Sequence, residues 1–180
     1  MSKVVAIVQA RMGSTRLPSK ILKKIGDHEA ISLLIERLEL CKKIDEIIIA
    51  TTTSKSDDEL CKFLRRINKK FVRGSEEDAL SRYCLAAQET NADIIIRITG
   101  DCPFLDYELI DNLIYKFEEN DYDYISNIDP PTFPDGLDVE VFSMQALLTA
   151  RLSATSDYDR EHVTPFIRNG NFERLNLKNG

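Results

Sequence analysis

Residues 4–20, VVAIVQARMGSTRLPSK, decide the fold. Val4–Gln9 is an almost unbroken apolar run, the pattern of a strand buried on both faces of a sheet. The chain then passes at once into a glycine-containing loop. From Arg11 to Lys24 there are five basic residues (Arg11, Arg16, Lys20, Lys23 and Lys24) and no acidic one. The whole chain of 180 residues carries a formal charge of -6. A cationic loop in an acidic chain, at the end of a buried strand, points to an anion site. Phosphate is the anion it fits best, because Arg11 and Arg16 can fork onto phosphate oxygens and Lys20 adds a point charge. Gly13 lets the backbone approach a ligand. A solvated basic turn explains the same spacing without a ligand.

Outward from this loop, strands and helices alternate. A helix is expected over Ala30–Lys42, a strand at Glu46–Thr51, and a second helix opened by a capping box at Ser56 and Glu59. A short strand at Lys70–Arg73 and a helix at Glu76–Glu89 follow. Asp93–Thr99 reads as a central strand. Asp106 caps a helix with Ile110, Leu113, Ile114 and Phe117 on one stripe, and Tyr124–Asn127 is a further strand. This order predicts an α/β fold, a mainly parallel sheet with helices on both faces, Rossmann-like in its three layers. Ligands of such sheets bind beyond the carboxyl ends of the strands. Past Asn127 the pattern loosens into a Pro/Gly loop. Leu137–Phe142 alternates as an edge strand would, with Asp138 and Glu140 on one face. Met144–Leu152 and Asp159–Ile167 read as helices, the second disturbed by Pro165. The segment 169–180 is polar.

Composition narrows the function. At 43% hydrophobic content the chain can bury one sizeable core, so a single domain over residues 1–180 is expected. The acidic balance argues against general nucleic-acid binding and against an anionic membrane surface. The four cysteines contain no C-x-x-C pair, so no zinc or redox site is signalled, and a reducing, cytoplasmic setting is the simple inference. No signal segment or membrane span is read in the chain. Two common phosphate motifs fail at the first loop. Gly13 has no second glycine to make a P-loop, and G-x-G-x-x-G is absent.

Other motifs carry two readings each. Asp101 ends the most apolar strand, where a carboxylate can hold Mg²⁺ beside a phosphate or simply make a turn before Pro103. Ser75 and Asp78 fit an N-capping pattern, while Arg73 is free to face a ligand. Arg97 lies within an apolar strand and needs a partner. Asp135, Asp138 and Glu140 either contact a second substrate or belong to a turn. His162 has no surrounding triad or metal-ligand spacing.

AIVQARMGSTRLPSK resembles the opening of the cytidylyltransferases that activate acidic sugars. These are the acylneuraminate and 3-deoxy-manno-octulosonate types and the spore coat polysaccharide biosynthesis protein F group, the last being the nearest in pattern. The likeness continues in order through FVRGSEEDALSRY, RITGDCPFLD, ISNIDPPTFPDGLDVEVF and DREHVTPFIR. It implies a nucleotide-diphospho-sugar transferase-like fold, CTP and Mg²⁺, an acidic-sugar acceptor and a homodimer. Carried over, Arg11, Gly13, Ser14, Arg16 and Lys20 would hold the phosphates, with Arg11, Arg16 and Lys20 acting in catalysis. Gln9 and Ala10 would lie near the base, and Arg73 and Ser75 would help to read it. Asp101 matches the metal-binding aspartate of the family's D-x-P motif. Asp135, Asp138, Glu140, Arg160, Glu161 and His162 would line the acceptor side. Family members continue through a stretch resembling R-W-T-V-D-x-P-E-D that supplies a second aspartate. These 180 residues contain no tryptophan, and a missing C-terminal segment is the expectation. A catalytically silent binding module and a scaffold subunit are the rival readings.

Overall fold

The computed structural model describes residues 2–13 and 17–179. In chain order the elements are β1 (Val4–Gln9), β2 (Lys24–Ile25), β3 (His28–Glu29), α1 (Ala30–Leu38), β4 (Glu46–Thr52), α2 (Asp58–Arg66), β5 (Phe71–Gly74), α3 (Ala79–Thr90) and β6 (Ile94–Thr99). They continue as α4 (Tyr107–Glu118), β7 (Tyr124–Ser126), β8 (Glu140–Ser143), α5 (Met144–Ser153), α6 (Asp157–His162), α7 (Pro165–Asn169) and β9 (Arg174–Asn176). Seven strands form one sheet in the order β5-β4-β1-β6-β8-β7-β9. β5, β4, β1 and β6 run parallel, as the alternating pattern predicts.

β1 lies inside the sheet and is buried on both faces because its residues alternate between two cores. Val4, Ala6 and Val8 pack with Leu34 of α1, Leu64 of α2 and Leu113 of α4. Val5 and Ile7 pack with Tyr83 of α3 and Leu147 of α5. Burying each such aliphatic side chain contributes roughly 1.5–3 kcal/mol, and both helix layers draw on this one strand. Odd-numbered positions therefore face α3 and α5, and this parity carries on into the site.

The structure differs from the sequence expectation at five places. The strand expected over Leu137–Phe142 is Glu140–Ser143, and it is an interior strand, antiparallel to both β6 and β7. Asp138 lies outside it, because the Asn127 side chain takes the place of the ladder there: its Oδ1 accepts from Val139 N and its Nδ2 donates to Leu137 O. The helix expected to reach Lys42 stops at Leu38, since Asp111 of α4 accepts from the backbone N–H groups of Lys42 and Lys43. The Ser56 capping box does not form; Asp57 occupies the N-cap position of α2, and its carboxylate turns inward instead. The stretch Asp159–Ile167 is two helices, broken at Val163, whose φ of 71° belongs to a tight turn in which Thr164 N donates to His162 O at 2.8 Å. Finally, the polar segment after Asn169 contains β9, paired in parallel with β7.

Candidate active site

The parallel strands end at a cleft of about 450 Å³. Its first half is built by the loops after β1 and β6. Arg11 and Gly13 come from the first loop, Lys20 from the turn of 3₁₀ helix that follows, and Asp101 from the β6 loop. Lys20 Nζ donates to Asp101 Oδ2 at 2.8 Å, joining the two loops across the cleft. Gly100 makes this approach possible: a Cβ there would stand 3.0 Å from Gln9 O and 3.1 Å from Ile21 Cδ1. Burial by itself raises the pKa of Asp101. The Lys20 ammonium, the Thr99 hydroxyl and the backbone outweigh burial and leave the carboxyl below its ordinary value. At the rim, Arg11 faces Glu76 at 3.6 Å.

The second half lies on the α3 side of the sheet, as the β1 parity dictates. Its floor is Gln9, Arg97 and Thr99; α3 supplies Ala79 and Arg82, and the end of α6 supplies Glu161 and His162. Arg97 Nη1 donates to Glu140 Oε1 of β8, and Glu140 Oε2 accepts from the Tyr124 hydroxyl at 2.7 Å. Burial would weaken the charge on Arg97, but Glu140 outweighs it and holds the guanidinium protonated.

The cleft thus brings together Gln9, Arg11, Gly13, Lys20, Asp101, Glu161 and His162 of the expected residues. Ala10 is buried beneath it. Ser14 and Arg16 lie outside the described residues. The others are held elsewhere. Arg73 does not reach the cleft, because its guanidinium donates to Thr52 O at 2.7 Å and Ser54 O at 2.8 Å and pairs with Asp58 at 2.8 Å. Ser75 accepts from Asp78 N at 3.3 Å, and Asp78 itself caps α3. Arg160 is tied to Asp78 at 2.8 Å. Glu140 is buried under Arg97 and cannot line an acceptor surface. Asp135 and Asp138 sit on the loop before β8. Burial, then the neighbouring charges of Asp135 and Glu140, raise the pKa of Asp138, and Asp101 adds to this.

Asp57 is a residue that the sequence reading missed. It is 1% exposed. Its carboxylate accepts from Met12 N at 2.7 Å, from Thr51 Oγ1 and Thr52 N at 3.0 Å, and from Thr52 Oγ1. It therefore fastens the first loop to the end of β4. The signal was present as hydroxyl residues at a strand end six residues before an aspartate, but the capping pattern absorbed it. Asp57→Ala leaves several buried donors unpaired. A loss of about 3 kcal/mol in stability is expected, read as a fall in the urea midpoint at unchanged slope.

Among the described residues, no group of three or more His, Cys, Asp and Glu side chains is placed to hold a metal. Asp101 lines the cleft, and Asp138, on the loop before β8, is close enough for the two charges to interact. A magnesium ion takes one or two protein carboxylates and completes its shell with water and substrate phosphates, so this donor set fits that ion.

Comparisons with known proteins agree with the geometry. A family profile described as cytidylyltransferase matches residues 5–178. The chain is 42% identical over 175 residues to an uncharacterised protein of Methanocaldococcus jannaschii, covering 97% of this chain and 69% of that protein. It is 38% identical over 176 residues to the spore coat polysaccharide biosynthesis protein SpsF of Bacillus subtilis, covering 94% of this chain and 71% of that one. A solved cytidylyltransferase structure from Leptospira borgpetersenii superimposes with a TM-score of 0.94 at 33% identity, over 99% of this chain and 77% of that one.

Proposed function

The chain belongs to the cytidylyltransferase family, and from that premise we propose that it joins CTP to an acidic sugar, giving a CMP-sugar and pyrophosphate for surface polysaccharide synthesis. The acceptor hydroxyl oxygen forms a bond to the α-phosphorus as the bond to the bridging oxygen of the β-phosphate breaks. Such transfer depends on positioning and charge neutralisation rather than on covalent catalysis.

The observation that carries this reading is the Lys20–Asp101 pair at the junction of the two loops. It sets a phosphate-binding cation against a metal-binding carboxylate at the carboxyl edge of a parallel sheet. Arg11 and Lys20 hold the leaving β- and γ-phosphates, with Ser14 and Arg16 proposed for the same task. Asp101, with Asp138, would hold Mg²⁺, which would supply Lewis acidity to the transfer. Glu161 and His162 face the acceptor from α6. Gln9 remains the candidate near the base, whereas Arg73 braces the loop after β4 and Ser75 the loop before α3.

A homodimer is proposed on the resemblance. Leu85, Leu152 and Tyr158, exposed on the neighbouring helices α3, α5 and α6, fit a face between copies. No helix of the described residues is long and apolar enough to cross a membrane. Four free thiols support the cytoplasmic proposal.

The test is pyrophosphate release from CTP with a panel of nonulosonic and octulosonic acids. Mg²⁺-dependent release with at least one of them is expected. CTP binding without release from any of them would favour the silent binding module instead.

A further inference from the structure

Among the described residues, Arg82 is a buried cation without an ion-pair partner. It is 1% exposed, yet it lines the cleft. Its Nη1 donates to the backbone oxygens of Ser75 and Glu76, the second at 3.1 Å, and its Nε is buried without a partner. No ion pair among the described residues includes it. The carboxylates near enough to influence it are engaged by other groups: Asp57 by the first loop and β4, Asp78 by Ser81 N and Arg160. Burial, and the like charge of Arg11, lower its pKa. A guanidinium out of water is ordinarily matched by a negative charge, since carbonyl dipoles alone do not offset its desolvation.

The backbone is shaped to keep it there. A Cβ at Gly74 would stand 2.8 Å from Arg82 Cγ, so the Arg82 stem passes where a side chain would be. The carbonyls that it holds belong to the segment carrying Glu76, which reaches Arg11 across the mouth of the cleft. Gln9 Oε1 lines the same cleft and is likewise buried without a partner. Among the described residues, the α3 half thus carries an unpartnered donor on a charged group and an unpartnered acceptor. A ligand bearing an anionic oxygen and a hydroxyl or amine satisfies both.

We propose that Arg82 is a substrate-binding residue of this wall, its guanidinium taking an anionic oxygen of the bound ligand. The oxygen is either a nucleotide phosphate oxygen or the carboxylate of the acceptor sugar. This rests on the transferase reading of the cleft.

Calorimetry on the whole chain tests it, with inorganic pyrophosphate, CTP, a 2-keto-3-deoxy sugar acid and neutral cytidine as probes. Arg82→Met keeps the apolar stem and removes the charge; Arg82→Lys keeps a charge and removes the planar fork. Arg82→Met is expected to weaken at least one anionic probe by about tenfold or more, as loss of a charge-assisted bond does, with cytidine affinity unchanged. Loss toward CTP and pyrophosphate assigns the phosphate. Loss toward the sugar acid alone assigns the carboxylate. Unchanged affinity for every anionic probe in a folded variant overturns the proposal and leaves Arg82 a brace. Parallel loss of cytidine binding overturns it too, because the wall has then merely collapsed. Should neither variant fold, the Nε–H resonance of Arg82 in the native protein decides: it must shift on adding pyrophosphate or the sugar acid, and an unmoved signal overturns the claim. If pyrophosphate shifts Arg82 while no acceptor yields product from CTP, the anion site stands and the transferase reading falls.

Discussion

Asp101→Asn is expected to retain most of the affinity for CTP while losing Mg²⁺-dependent turnover by on the order of a thousandfold, corresponding to about 4 kcal/mol of transition-state stabilisation. The substitution keeps the shape of the side chain and removes its charge. On the proposed reading, ground-state binding of the triphosphate depends on the cations Arg11 and Lys20, which the change leaves in place, and it weakens the hold on Lys20 of its 2.8 Å partner. The change also removes the carboxylate charge that would hold Mg²⁺, and with it the Lewis acidity that the ion would supply. Single-turnover kinetics beside direct CTP binding would separate the two effects, with KM for CTP held within a few fold while kcat falls. Turnover equal to the native protein would remove Asp101 from the metal role. The pair has a pH signature as well. Since the folded pKa of Asp101 is depressed, its contribution is present above the ordinary carboxylate range and is lost as pH falls through the folded value.

The second large effect is on stability. Glu140 is 1% exposed and joins Arg97 of β6 to the hydroxyl of Tyr124 in β7. Glu140→Ala leaves a buried guanidinium without its counter-charge, and a loss of about 3–5 kcal/mol is expected. For a chain of this length that lowers the melting temperature by roughly 6–20 °C. The double replacement Arg97→Met with Glu140→Leu removes both charges and should recover most of the loss, since apolar pairs of similar volume often equal a buried ion pair. A single variant as stable as the native protein would show the pair to be open to water.

The strands β1, β4 and β6 were legible because each is an apolar run that only a doubly covered sheet explains. The place of β8 was not. The stretch LDVEVF alternates like an edge strand, and only the pairing of Glu140–Ser143 with β6 and β7 puts it inside. β9 is three residues in a polar segment, held as a strand by β7 rather than by its own propensity. At the site, Lys20 and Asp101 could be read from strand ends and local charge. Arg82 and Asp57 could not. An arginine in ALSRYCLAAQET looks like a solvent-facing helix residue, and an aspartate in SKSDDEL looks like a cap. Partners outside the helix decide otherwise: the carbonyls of the Ser75 segment just before α3 for the one, and distant Met12 for the other. Arg73 failed in the opposite direction: an arginine beside a glycine after a strand suggests a ligand, but carbonyls of Thr52 and Ser54 lie nearer.

The interior position of β8 has a consequence for the chain as it is made. β1 finds both of its neighbours, β4 and β6, within the first hundred residues, so the half of the cleft holding Lys20 and Asp101 can close early in synthesis. The outer edge of β6 then waits, unpaired, until Glu140–Ser143 emerges. An open edge reading IIIRIT invites pairing with another nascent copy. Arg97 stands in the middle of that edge, a charge with no counter-ion until Glu140 arrives. A charge in that position opposes intermolecular strand pairing, and in the finished fold the same residue is part of the cleft floor.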